Sequence, residues 1–144
     1  MKHSTPLTAL VLPLLLLGLL LMPATNAAAA EGDSTVYSGS WAKKSHSTSG
    51  TWKIVKNGDD HFVALDSRFK TRSAPDLKLF LSKRSANKLT GSNATDDAVR
   101  IAKLSSNSGA QRYKLPAGTV PNDYKTLIIH CERYSKLWSA GTLN

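Results

Sequence analysis

The sequence TLIIHCERYSKLWSAGTL, residues 126–143, contains the most apolar run found after the first 30 residues. Its first six residues, TLIIHC, are rich in β-branched and aliphatic side chains, a composition that favours a buried β-strand. The tripeptide KLW at 136–138 predicts a further short strand. This β-rich end of the chain carries its single cysteine, Cys131.

Side chains alternate between the two faces of a strand. Cys131 is therefore predicted to share a face with Leu127 and Ile129, while His130 points to the opposite face beside Ile128. The two neighbours cannot grip one metal ion as a close pair unless a β-bulge redirects one of them.

The rest of the chain shows further short strand patterns, which are separated by clusters of Gly, Asn, Asp, Ser and Pro. Trp52 and Ile54 share one face of a predicted strand, and Leu77, Leu79 and Leu81 share one face of another. The predicted strands cover residues 36–41, 50–55, 61–65, 77–81, 99–104, 110–115, 126–131 and 136–138, with a hairpin turn at 56–60 around an Asn-Gly pair.

No segment keeps a helical period over a useful length, and no internal repeat is evident. Seven to eight short strands within about 100 residues predict an all-β fold, an antiparallel β-sandwich or barrel. Residues 37–143 are predicted to form this single β domain, after a short polar lead-in at 31–36.

The first 30 residues have the three-part pattern of a secretory signal peptide. A basic start at 1–3 precedes an apolar run at 7–21, and small residues follow at 24–30. The alternative is an uncleaved membrane anchor, but the run is shorter than the ~20 residues that a spanning helix needs. We therefore expect cleavage between Ala27 and Glu31, a periplasmic or secreted protein, and no membrane span afterwards.

Lys2 leaves with this leader, so 18 basic and 10 acidic residues remain, a net charge of +8. Such a charge favours loose association with anionic material, and it also keeps a domain soluble. Export makes a nucleic-acid partner implausible. The partners left open are an unknown redox partner and an anionic polymer of the envelope or matrix. The oligomeric state is not indicated.

Several short motifs occur in a recognisable order along the chain. They are GSW at 39–41, His46, SGTWKI at 49–54, VALD at 63–66 with Phe69, APDL at 74–77, LFLS at 79–82, GAQRYKLP at 109–116, the pair His130-Cys131, and Tyr134, Trp138, Ala140 and Leu143. In this order they resemble the DM-thirteen domain, a β-rich extracytoplasmic family described as an electron-transfer domain. In animals it occurs beside DOMON domains.

The resemblance covers about residues 37–143 and implies a β fold with a redox role for the single cysteine. The sequence departs from the family pattern at three places. Ala74 stands where the family has Gly, His130 where it usually has Trp, and Trp138-Ser139-Ala140 replaces a Phe-Gly-x-Ala pattern. The Pro, the Asp and the Cys are kept. Asp66 and Asp76 match acidic positions of the family, which makes them candidates for orienting a ligand. Asp in such turns also bonds nearby backbone amides.

Cys131 has three possible roles. A free cysteine is often an inert, buried core residue. A lone cysteine in an exported protein can instead have a redox or ligand role, or it can form an intermolecular disulfide. Haem or a metal is conceivable as a cofactor, although no C-x-x-C-H or other binding motif indicates one. A metal would more plausibly join Cys131 to His46 or His61 from other strands, and His130 is a further candidate for holding a bound cofactor. Copper is disfavoured because no Met remains after the leader.

These observations leave two hypotheses of different classes. The first is an exported redox module that passes electrons through Cys131. The second is a non-catalytic binding module whose basic surface holds anionic envelope or matrix polymers. An enzyme is less favoured, because no G-x-S-x-G or similar catalytic set is present.

Overall fold

The computed structural model describes residues 32–144, and it confirms the predicted all-β, antiparallel sandwich. The predicted signal peptide lies outside the described residues. The strands are β1 Ser34–Ser40, β2 Ala42–Lys43, β3 Thr48–Ser49, β4 Thr51–Asn57, β5 Asp60–Leu65, β6 Lys70–Thr71, β7 Leu77–Ser82, β8 Ala98–Lys103, β9 Gln111–Lys114, β10 Thr126–Cys131 and β11 Lys136–Thr142.

The strands form two larger sheets and one small ribbon. The four-stranded sheet has the order β1-β4-β5-β9, the five-stranded sheet the order β2-β11-β10-β7-β8, and β3 pairs only with β6. All of these pairings are antiparallel. Strand β10 lies at the centre of the five-stranded sheet, so the TLIIHC sequence is hydrogen-bonded on both sides.

The core lies between the two larger sheets. Trp52 and Ile54 of β4 face it together, and so do Leu77, Leu79 and Leu81 of β7, as the period-two patterns predicted. Leu127, Ile129 and Cys131 of β10 complete this face, and all three are fully buried. A strand that is apolar on both faces is expected where both faces are covered.

The other face of β10 is covered by the long loop between β7 and β8. Ile128 packs there with Phe80 of β7 and with Leu89 and Ala94 of the loop. Single 3-10 turns occur at Ala86–Lys88, Pro121–Asp123 and Glu132–Tyr134. Among the residues described, no helix is long and apolar enough to cross a membrane.

The hairpin predicted around Asn57-Gly58 is present. Asn57 pairs with Asp60, and Gly58 takes a φ of 59°, the positive angle that a two-residue turn requires. The sequence patterns missed the two-residue strands β2, β3 and β6. Two residues are too few to show any alternation, so pattern reading cannot find such strands.

A β-bulge in β11 was also not predicted. Ile129 pairs with Ser139 and His130 pairs with Leu137, so Trp138 is the extra residue between them. Trp138 and Ser139 consequently both lie on the core side of the sheet, where alternation would have separated them. The bulge is in β11 and not in β10, so Cys131 and His130 keep opposite faces.

Candidate functional site

Cys131 ends β10 inside the core between the sheets. Its side chain has no solvent exposure and forms no disulfide. In register it lies between Leu77 of β7 and Lys136 of β11. Because a thiol reacts through direct contact with its partner, a sulfur in this position cannot be reached by a reagent while the fold is closed.

His130 lies on the opposite face and holds the long loop against the sheet. Its Nε2 is 2.9 Å from the carbonyl oxygen of Gly91, and its ring meets Phe80 edge-on. A carbonyl only accepts, so Nε2 carries the proton in this contact. Its Nδ1 is buried and has no hydrogen-bond partner among the described residues. Gly91 also lies tightly against the turn that follows β10, since a Cβ there would clash with the backbone oxygen of Ser135.

Asp76 belongs to a group of ion pairs beside the end of β10. Lys78 donates a hydrogen bond of 3.1 Å to Asp76 and also bonds Glu132, while Arg100 donates to Glu132 at 2.7 Å. The hydrogen bond from Lys78 holds the pKa of both carboxyl groups below their usual values. The hydrogen bond to Glu132 raises the pKa of Lys78. Asp76 thus has a local charge partner.

Asp66 closes the turn that follows β5. Its carboxylate accepts a 3.0 Å hydrogen bond from the Thr51 hydroxyl and further bonds from Arg68. Burial alone would raise the pKa of Asp66, but hydrogen bonds from Thr51 and Arg68 outweigh it and lower the pKa. The turn is tight, because a Cβ at Gly50 would lie 2.4 Å from Asp66 Oδ1.

The histidines named as metal candidates do not meet Cys131. His46 stacks on Trp138, with ring centroids 3.6 Å apart and planes 18° from parallel. His61 lies on β5 in the other sheet, opposite Lys56 of β4. Across residues 32–144, no three His, Cys, Asp or Glu side chains lie close enough to hold a metal ion.

His46 lies in a positive environment. Burial lowers its pKa first, and the charges of Arg72, Lys136 and Lys43 lower it further. Ser45 Oγ is 3.1 Å from its Nδ1. The ring is partly exposed, whereas Trp138 beneath it is buried. The pair therefore links the domain surface to the core that contains Cys131.

A chain of hydroxyl groups surrounds Trp138, and sequence reasoning missed it. Trp138 Nε1 donates to Thr71 Oγ1 at 2.9 Å, and Thr48 Oγ1 donates to the same oxygen at 3.0 Å. The Thr48 and Ser139 hydroxyls are 2.6 Å apart. These residues come from β3, β6 and the bulge of β11, none of which has a detectable sequence signal. The network fixes the Trp138 indole and satisfies its N–H in the core.

Comparison with known proteins gives one finding. The family model described as Electron transfer DM13 matches residues 41–141. This span contains Cys131, the ion-pair group and the His46–Trp138 pair. No curated protein matches the chain, and no solved structure does. The resemblance inferred from the order of motifs is confirmed, and the chain belongs to the Electron transfer DM13 family.

Proposed function

We propose that the protein is an exported electron-transfer module and that electrons pass through Cys131. The observation that carries the proposal is the family match over residues 41–141, because the family is described by electron transfer. Cys131 is the one cysteine of the sequence and lies inside that span. It is therefore the one thiol that this chain offers as a redox group.

The burial of Cys131 limits how the exchange can take place. Thiol–disulfide exchange needs direct attack on sulfur, and the sulfur has no exposed surface. We therefore propose that electrons cross the packed protein between Cys131 and solvent, by way of the buried Trp138, which belongs to the same core cluster as Cys131, and the partly exposed His46 stacked on it. Oxidation of the thiol by a one-electron acceptor would release one electron and one proton, and reduction by a one-electron donor would take both back.

Redox titration of the processed protein tests this proposal. The protein is isolated from its native compartment, analysed for metal and colour, and titrated with one-electron mediators. We expect a reversible electron equivalent per chain that is lost in Cys131→Ala. Ile129→Val is the matched control, since it also perturbs the β10 core face but keeps the sulfur. A colourless, metal-free protein that exchanges no electrons with any mediator would refute the proposal.

The second candidate is a non-catalytic binding module for anionic envelope or matrix polymers. The net charge of +8 that remains without the leader supports it. Only the first candidate function, electron transfer, depends on the sulfur of Cys131. Salt-sensitive polymer binding that is the same in wild type and Cys131→Ala, without electron exchange in either, would favour the second.

Export is part of the proposal and has its own test. The three-part pattern of residues 1–30 supports cleavage between Ala27 and Glu31. We expect mass spectrometry of the protein from the producing cells to find a new N-terminus in this interval, in the periplasm or the medium. An intact Met1 on membrane-bound protein would support the anchor alternative.

A further inference from the structure

Three segments without a single acidic residue meet at one side of the domain. They are residues 41–49, 67–75 and 133–144. Strand β2 from the first pairs with β11 from the third, and β3 from the first pairs with β6 from the second. The Trp138 indole bonds Thr71, which joins the second segment to the third. We give the name basic face to the part of this surface that carries Lys43, Lys44, Lys70, Arg72 and Lys136; Arg68, which pairs with Asp66, and Arg133 belong to the same segments but are not counted in it.

The cations of the basic face are not neutralised by the protein. Within the described residues, none of the five forms an ion pair, and Lys44 instead donates to the backbone oxygen of Ala86 at 2.7 Å. Six other cations of the domain do have acidic partners, namely Arg68, Lys78, Arg84, Arg100, Arg112 and Lys114. Twelve cations of the described residues form no ion pair, and five of them lie together on this face, where they can act on a ligand.

The charges of this face converge on His46. The cations that lower its pKa, after burial, are Arg72, Lys136 and Lys43, one from each segment. No acidic group is among the causes of that shift. An anion bound at His46 would thus be attracted by cations from three separate segments of the chain.

Two shallow depressions lie on the basic face, on either side of His46 along the chain. Their cavity volumes are about 500 and about 350 Å³. The first is lined by Lys43, Lys44, Ser45, Thr90, Ser135 and Lys136, with a floor of Leu89, Gly91 and Leu137. The second is lined by Ser47, Thr48, Ser49, Lys70, Thr71 and Arg72. Both combine hydroxyl groups with cations and contain no acid.

This lining matches a hydroxylated polyanion better than it matches a protein. The core of a protein interface is apolar and aromatic, but the exposed large apolar residues described, Val36, Val120 and Tyr134, line neither depression. A sugar chain with carboxylate or sulfate groups offers acceptors to the cations and hydroxyls to the serines and threonines. Two depressions lined by neighbouring segments suit a ligand long enough to contact both.

We propose that the basic face binds an acidic polysaccharide, which runs from one depression over His46 to the other. The ligand class is a glycan that carries carboxylate or sulfate groups. This inference identifies the surface and the ligand of the second candidate function. It is independent of the electron-transfer proposal, because no step in it uses Cys131.

Binding to heparin and to polygalacturonate tests the proposal, with neutral dextran as a control ligand. We expect both polyanions to bind wild type at low salt and to dissociate as salt rises. The triple variant Lys43→Gln, Arg72→Gln, Lys136→Gln should bind about tenfold more weakly, since each exposed charge contact contributes modestly. The matched control Lys53→Gln, Lys56→Gln, Lys125→Gln removes the same charge from other exposed positions. It should change affinity by no more than about twofold.

Several results would overturn the assignment. Equal weakening in the two triple variants would show a response to net charge alone, and tight binding of dextran would show that charge is not recognised. Stronger binding of polyglutamate or of anionic lipid vesicles, lost in the first triple variant, would assign the face to an acidic protein or a membrane. Redox titration of the same samples with mediators tests the electron-transfer proposal separately. The glycan-binding proposal and the electron-transfer proposal can therefore fail independently.

Discussion

At Cys131 the decisive property is access to the sulfur. The side chain is fully buried between β7 and β11, in the face formed with Leu127 and Ile129. We expect an aromatic disulfide reagent to label no thiol in the folded protein and one thiol per chain after denaturation. Rapid, complete labelling of the native protein would contradict the closed core.

The same burial predicts how substitutions behave. Cys131→Ser places a hydroxyl in an apolar core, and a buried hydroxyl without a partner costs about 1–3 kcal/mol. Urea unfolding should therefore find Cys131→Ser less stable than wild type. Ser67→Ala, at an exposed turn position, serves as the control and should leave the unfolding midpoint nearly unchanged.

The ion pairs of Lys78 predict a pH dependence of stability. The folded pKa values of Asp76 and Glu132 are lowered, so their contribution is present at neutral pH and is lost as the pH falls through those values. The folded pKa of Lys78 is raised, so the contribution of this residue to stability is also present at neutral pH. It begins to be lost only when the pH rises above the ordinary pKa of a lysine. Wild type should therefore lose more stability between about pH 7 and about pH 3 than Lys78→Gln does.

Urea denaturation at the two pH values measures this difference. Lys114→Gln is the matched control, because its ion pair with Asp60 is exposed and such pairs contribute little. If Lys78→Gln showed the same acid sensitivity as wild type, the ion pairs around Lys78 would not be a source of it.

At the scale of single strands, Gly141 of β11 allows the two sheets to approach. A Cβ at this position would lie 2.2 Å from Trp52 Nε1, whose indole is held by a 3.2 Å bond to the Ser40 carbonyl. Gly141→Ala should therefore overpack the core and lower the free energy of unfolding by about 1–3 kcal/mol. Thermal or urea unfolding measures the change. Thr142→Ala, exposed on the same strand, should leave stability nearly unchanged; equal values for Gly141→Ala and wild type would contradict the close packing.

The elements that the sequence predicted are those with enough residues to show alternation. The predicted strand at 126–131 coincides with β10, and the facing of Cys131 and His130 follows from its period of two. The strand predicted at 136–138 extends to Thr142, because the bulge at Trp138 interrupts the alternation that would have revealed it. A bulge is set by the pairing partner and not by local composition, so the residues alone do not reveal it.

The candidate site was less predictable than the fold. Sequence patterns named His46 and Asp76 as candidates, but not the Trp138 ring beneath His46 or the lysine that bonds Asp76 and Glu132. These contacts join positions up to 92 residues apart, as between His46 and Trp138. They depend on which strands become neighbours, and a single sequence does not specify strand order.

For the whole molecule, the strand order predicts slow folding. β2 must find β11 and β5 must find β9 before either sheet is complete, and neither pair is adjacent in sequence. Domains dominated by such distant pairings fold in milliseconds to seconds. Stopped-flow tryptophan fluorescence should therefore resolve the refolding of this chain. Completion within about 100 μs would contradict this prediction, since that is the range of locally paired folds.

The shortness of β2 affects how readily this edge of the sheet can pair with another copy of the protein at high concentration. Ala42 and Lys43 pair with only two residues of β11, so one edge of the five-stranded sheet is a two-residue strand that carries the Lys43 ammonium group, while the other edge is the six-residue strand β8. A long, flat edge strand offers unpaired backbone amides to another copy of the protein, whereas a short, charged edge strand does not. The β2 edge is thereby protected against pairing with another copy, in a sheet whose central strand contains the aliphatic residues Leu127, Ile128 and Ile129.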